Sequence, residues 1–123
     1  MAAILALGLD PAFVDLTVMP GLTPELVRVY LDSEVQRIRV HGHEVDACLV
    51  DSGNMAEAVL RKRLASRSYD CVMIGAGLRA PNRVLLFEKL INIVHFHAPT
   101  ARICFNSSPA DSAEAVERCL ASV

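Results

Sequence analysis

At 123 residues with a formal net charge of −2 and no tryptophan, the chain has single-domain size and lacks the basic field and stacking platforms of a nucleic-acid binder. Its hydrophobic fraction of 53% and mean hydropathy of +0.37 are high for a free monomer, which predicts a homo-oligomer. No Lys or Arg precedes Arg28, and the first apolar run is too short to span a bilayer or serve as a secretory signal, so the expectation is a cytoplasmic protein with no membrane contact.

Four apolar runs of strand length occur at residues 3–9, 45–50, 71–75 and 102–105, each followed by a helical pattern. Near-continuous apolar strands alternating with amphipathic helices indicate a parallel sheet covered on both faces, because a solvated face would impose polar alternation. The first strand leads into a long loop, from Asp10 to Leu22, carrying Phe13, Val14, Leu16, Val18, Met19 and Leu22. Connections of that length are usually functional, and this one reads as a lid or a contact surface. Pro20-Gly21 forms a tight turn ahead of Thr23-Pro24-Glu25, where Thr23 caps the first helix and Pro24 occupies its first position.

That first helix is expected to bury Leu26, Val27, Tyr30, Leu31, Val35 and Ile38 and to close at Gly42. Ile38-Arg39-Val40 also alternates like a strand, with His41-Gly42-His43 as a turn, but length and capping favour the helix. The second helix follows Asp51-Ser52-Gly53-Asn54, with Asn54 and Glu57 at capping-box spacing and Ala56, Val59, Leu60 and Leu64 inward. Its basic end, Arg61-Lys62-Arg63, suits the helix dipole. In the third helix, residues 82–97, a half-cylinder of Val84, Leu86, Phe87, Leu90, Ile91, Ile93 and Val94 faces the core. Leu85 and Phe96 are surplus to it and are expected at a subunit interface. The fourth helix opens after Asn106-Ser107-Ser108-Pro109 and buries Ala113, Val116, Leu120 and Val123.

Short right-handed crossovers predict a three-layer sandwich: a four-stranded parallel sheet in the order 2-1-3-4, flavodoxin-like or Rossmann-like, within one domain spanning residues 1–123. All strand-to-helix loops then emerge on one edge, bringing Asp10, Asp51, Gly75, Gly77, Arg79, Asn106 and Ser107 around a crevice. Gly75 and Gly77 allow positive φ and close backbone approach, and Arg79 adds a permanent planar charge, a combination suited to a carboxylate or phosphate. The turn lacks the third glycine of a dinucleotide fingerprint and the Gly-Lys-Ser/Thr of a Walker A loop, and no particular cofactor is indicated. Asp10 and Asp51 sit on neighbouring strand ends, where two close carboxylates would hold a magnesium ion or serve acid–base chemistry, although capping and turn formation are the commoner use of Asp there.

The four cysteines fall on three strands and one helix face with no C-x-x-C pair, which argues against a disulfide framework or zinc site and for small apolar core residues. His41/His43 and His95/His97 are spaced two apart, which on a helix turns the rings away from a common metal, whereas across a turn or between subunits they could still meet. No metal site is expected.

The run Asp70-Cys71-Val72-Met73-Ile74-Gly75-Ala76-Gly77-Leu78-Arg79, with Leu86-Phe87-Glu88-Lys89-Leu90 and Ala101-Arg102-Ile103-Cys104-Phe105-Asn106, resembles small bacterial α/β proteins of no assigned activity. The resemblance implies a Rossmann-like fold and no catalytic role. A response-regulator receiver would carry a phosphoacceptor Asp after the third strand, where Gly75 to Arg79 stands. A flavodoxin would carry a hydroxyl-rich loop after the first strand, where the loop is apolar. Three functions remain open from sequence: binding of a small anionic metabolite at the carboxyl edge, a small hydrolase or lyase using Asp10 or Asp51 with Arg79, and a homo-oligomeric interaction module without chemistry.

Overall fold

A computed structural model describes residues 1–17 and 19–121; Val18, Ser122 and Val123 lie outside the described residues, and with them the expectations placed on Val18 and Val123. The chain runs β1 (Ala3–Leu9), α1 (Pro24–Val40), β2 (Glu44–Val50), α2 (Ala56–Ser66), β3 (Cys71–Ile74), α3 (Val84–His97), β4 (Arg102–Phe105) and α4 (Ser112–Ala121). All strand pairs are parallel and the order is β2-β1-β3-β4, as the alternation of strands and helices predicts.

Side chains alternate across a strand, so β1 contributes two opposite rows. Leu5, Leu7 and Leu9 enter the core shared with α2 and α3, alongside Val72, Ile74, Leu60 and Leu90. Ile4 and Ala6 enter the second core with Met73, Cys104, Ile38 of α1 and Val116 of α4. The first face is filled by large branched residues, whereas the second shrinks toward the carboxyl edge, from Ile4 through Ala6 to Gly8.

α1 starts where Thr23 Oγ1 accepts the Leu26 N–H at 3.2 Å, and it ends at Val40 with Gly42 in the turn at φ 93°. The helix therefore stops short of Gly42, and the glycine serves the turn into β2. Leu26 and Tyr30, expected inside, are exposed. The helix instead buries Glu34 and Ile38, because Arg37 pairs with Glu34 at 2.9 Å and reaches Ala110 O at 2.8 Å and Glu114 at 2.5 Å, fastening α1 to α4. The Glu114 and Glu34 carboxylates hold the Arg37 guanidinium above its ordinary pKa.

α2 corrects a second expectation. Asn54 does not cap it; Asp51 reaches forward and accepts the N–H groups of Gly53 at 3.0 Å and Met55 at 3.0 Å, closing the loop before the helix begins. Val84 opens α3 exposed rather than buried, while Leu85 and Phe96 are 71% and 70% exposed on the face away from the core. Among the described residues no helix is long and apolar enough to cross a membrane.

The two faces respond differently to substitution. Leu7→Ala removes a side chain 1% exposed and is expected to lower unfolding free energy by about 2–5 kcal/mol in urea titrations. A loss below about 1 kcal/mol would show that this face is not close-packed.

Candidate functional site

The taper on β1 leaves α1 without a partner in its middle turns. Anchored through Ile38 and Arg37 at one end and through the Arg28–Asp10 pair toward the other, α1 spans a cavity of about 350 Å³. Its floor is Ala6, Gly8, Ala47 and Met73; its outer wall is Val27, Tyr30, Leu31 and Val35 of α1; its roof is Val14, Leu16, Met19 and Leu22. Leu49, on the edge strand β2, is 37% exposed at the mouth. Floor and roof are apolar, and the volume lies in the range of small-molecule sites.

The roof is the 10–22 segment, held in place by its own polar groups. Asp10 accepts the Ala12 N–H at 2.9 Å, capping the short 3-10 turn Pro11–Phe13, and pairs with Arg28 of α1 at 2.6 Å. Asp15 accepts both the N–H and the hydroxyl of Thr17, at 3.0 and 2.6 Å. Pro20-Gly21 makes the expected turn, with Gly21 at φ 88° and the Leu22 N–H donating to Met19 O at 3.2 Å. Positive φ at the second central position is the type II geometry that glycine serves.

The carboxyl-edge end of the cavity is formed by Gly75, Ala76, Gly77, Asn106 and Ser112. Gly75 is at φ −72° and neither it nor Gly77 has positive φ, so left-handed backbone is not their reason. Close approach is the reason at Gly77, where a Cβ would lie 3.3 Å from Leu9 Cβ. Asn106 is buried and joins three segments: its Oδ1 accepts the Ala76 N–H at 3.1 Å and its Nδ2 donates to Ser112 Oγ at 3.0 Å.

The residues expected to converge on an anion are brought to one edge of the sheet, but each is committed elsewhere. Asp51 closes its own loop, and Asp10 caps its turn and binds Arg28. The backbone N–H of Ser107, 2.9 Å from Asp111, and the Ser107 hydroxyl both donate to that carboxylate, which also forms a capping box with Ser108. Arg79 donates to the Asn106 carbonyl and lies 5.1 Å over the Phe105 ring, clamping the end of β4 rather than lining the cavity. Burial holds its guanidinium below the ordinary arginine pKa, and Nη1 is buried without a partner.

Acidic groups, by contrast, do line the cavity: Glu34, whose carboxylate is paired with Arg37, and Asp32 at the exposed rim, with no Lys or Arg among the described lining residues. The sequence pattern pointed to the loop residues and missed the cavity, although the series Ile4, Ala6, Gly8 carried its signal once a single face of β1 was isolated. It left one cluster open, the histidines across their turn, and missed another, the cysteines. His41 and His43 converge across their turn on Glu117, at 3.6 and 2.7 Å, and Cys71, Cys104 and Cys119 bring their sulfurs within 4.8 Å of one another. Comparison with known proteins gives no matching family model and no matching curated relative.

Two outcomes test this account of the edge. Asn106→Ala strands the buried partners of its amide and is expected to cost about 1–3 kcal/mol by urea unfolding, against within about 0.5 kcal/mol if the side chain were incidental. The Ala12 N–H and Arg28 hold Asp10 below its ordinary value of 3.8, so its contribution is present above that pH and is lost as pH falls through the folded value. The gap in melting temperature between wild type and Asp10→Ala should be constant near neutrality and close below pH 3.8; a gap independent of pH would contradict it.

Proposed function

We propose that this protein binds a small organic molecule with an apolar, flat or branched body in the cavity between α1 and the sheet, beneath the 10–22 segment. The observation that carries the reading is the cavity itself. A space of about 350 Å³ lined by Ala, Gly, Leu, Val and Met side chains costs dispersion contacts when it stands without an occupant. A folded chain seldom leaves so large an apolar concavity uncovered unless something fills it. The roof segment overhangs the site, and Tyr30 brings a hydroxyl to its α1 wall.

Charge sets the ligand class. With Glu34 neutralised by Arg37, Asp32 at the rim and no Lys or Arg among the described lining residues, a neutral body or a positively charged end at the rim is favoured and a carboxylate or phosphate is disfavoured. A second reading, an anion at the glycine-arginine turn, draws support from the partnerless Nη1 of Arg79, but that atom is sealed beneath its neighbours and a ligand would have to displace them.

A matched series of probes separates the two. Indole, tryptamine and indole-3-acetate share one body and differ in charge. Thermal shift and calorimetry should rank tryptamine and indole above indole-3-acetate. Gly8→Val fills the floor, since a Cβ there meets only Leu49 Cδ2 at 3.4 Å, and should abolish binding while leaving the melting temperature equal or higher. Tightest binding by indole-3-acetate, lost in Arg79→Gln and kept in Gly8→Val, would instead assign the site to the arginine turn.

A further inference from the structure

Three cysteines distant in the chain meet inside the second core. Cys71 of β3, Cys104 of β4 and Cys119 of α4 are all buried, their sulfurs lie within 4.8 Å of one another, and the Cys71 and Cys104 sulfurs are 3.4 Å apart. A metal held by three thiolates in a plane at about 2.3 Å places the sulfurs about 4.0 Å from one another, inside that span. Met73 stands opposite Cys104 in the ladder and belongs to the same buried, otherwise apolar cluster.

A disulfide fits this geometry poorly. In the β3–β4 register Cys71 is level with Arg102 and Cys104 with Met73, so the two cysteines are diagonal neighbours. That offset separates Cα atoms by about 7 Å, at the limit of an unstrained disulfide. The sulfurs approach without the backbone proximity that a covalent bridge requires.

We propose that Cys71, Cys104 and Cys119 form a trigonal thiolate site for a single copper(I) ion. Zinc is favoured by four donors, and among the described residues no histidine, carboxylate or fourth cysteine joins the group. Copper(I) takes three soft sulfur donors in a dry apolar setting. Binding displaces the thiol protons to solvent and leaves the cluster with two negative charges. Two guanidiniums are fixed beside it: Arg102 donates to the Cys119 carbonyl at 3.2 Å, and Arg118 donates to the carbonyl of Phe105, the residue after Cys104, at 2.9 Å. Their two positive charges offset the complex. Met73 also lines the ligand cavity, so the cluster and the cavity share one wall.

The test is anaerobic titration of the reduced full chain with copper(I) against the chromophoric chelator bicinchoninate. Wild type should withdraw one equivalent per chain and show a rise in melting temperature on loading. Cys48→Ala, which alters a thiol in the opposite core, should behave as wild type. Cys104→Ala and Cys119→Ala should bind at least about 100-fold more weakly, beyond what loss of a supporting residue costs. Cys119 sits on the last helix at the edge of the cluster, so Cys119→Ala is the variant expected to retain the wild-type circular dichroism spectrum. Failure of wild type to withdraw copper, equal uptake by folded Cys119→Ala, or displacement of the copper by equimolar zinc would each overturn the assignment.

Discussion

The structure depends on an inequality between the two faces of its central strand. Leu5, Leu7 and Leu9 drive one side of β1 into a close-packed core with α2 and α3, and that side accounts for a large part of the apolar burial. Ile4, Ala6 and Gly8 diminish on the other, so a helix crossing that side meets the sheet near Ile4 and loses it near Gly8. α1 spans the gap because polar interactions hold it on both sides: Arg37 to Ala110 and α4, and Arg28 to Asp10. The cavity is the space those anchors hold open.

The same constraint explains the 10–22 segment. With no side chain on Gly8 and only a methyl group on Ala6 and Ala47, the apolar residues of the loop have a surface to cover but not to contact closely. Leu16, Met19 and Leu22 therefore roof the space, while Asp10 and Asp15 absorb the backbone and side-chain donors that a coiled segment would otherwise leave unpaired. The segment is tied down by these caps, by the Arg28–Asp10 pair, by Arg83 donating to Phe13 O at 3.0 Å and by Val14 packing on the first core.

The fold was legible in the sequence because four apolar runs at strand length, each ahead of a helical pattern, admit few parallel topologies. The site was legible only in location. Asp10, Asp51, Asn106 and Ser107 are found at the carboxyl edge, yet turns and helix starts consume their hydrogen-bonding capacity, a demand that sequence spacing does not separate from ligand binding. Glu34 escaped notice because a buried carboxylate depends on Arg37 and on α4, which is distant in the chain. The thiol cluster escaped for a related reason: residues 71, 104 and 119 have no local motif, and only strand register together with the seating of α4 brings them into one place.

Xenon tests the central claim, that α1 stands away from the sheet over a stable apolar space, without assuming any ligand. Under xenon pressure, methyl-resolved NMR should show saturable shifts at Ala6, Ala47 and Met73, with Leu5 and Val72 on the opposite face unmoved. Shifts absent from the first group, or spread equally over both, would mean that α1 closes onto β1 and that the cavity does not exist in solution.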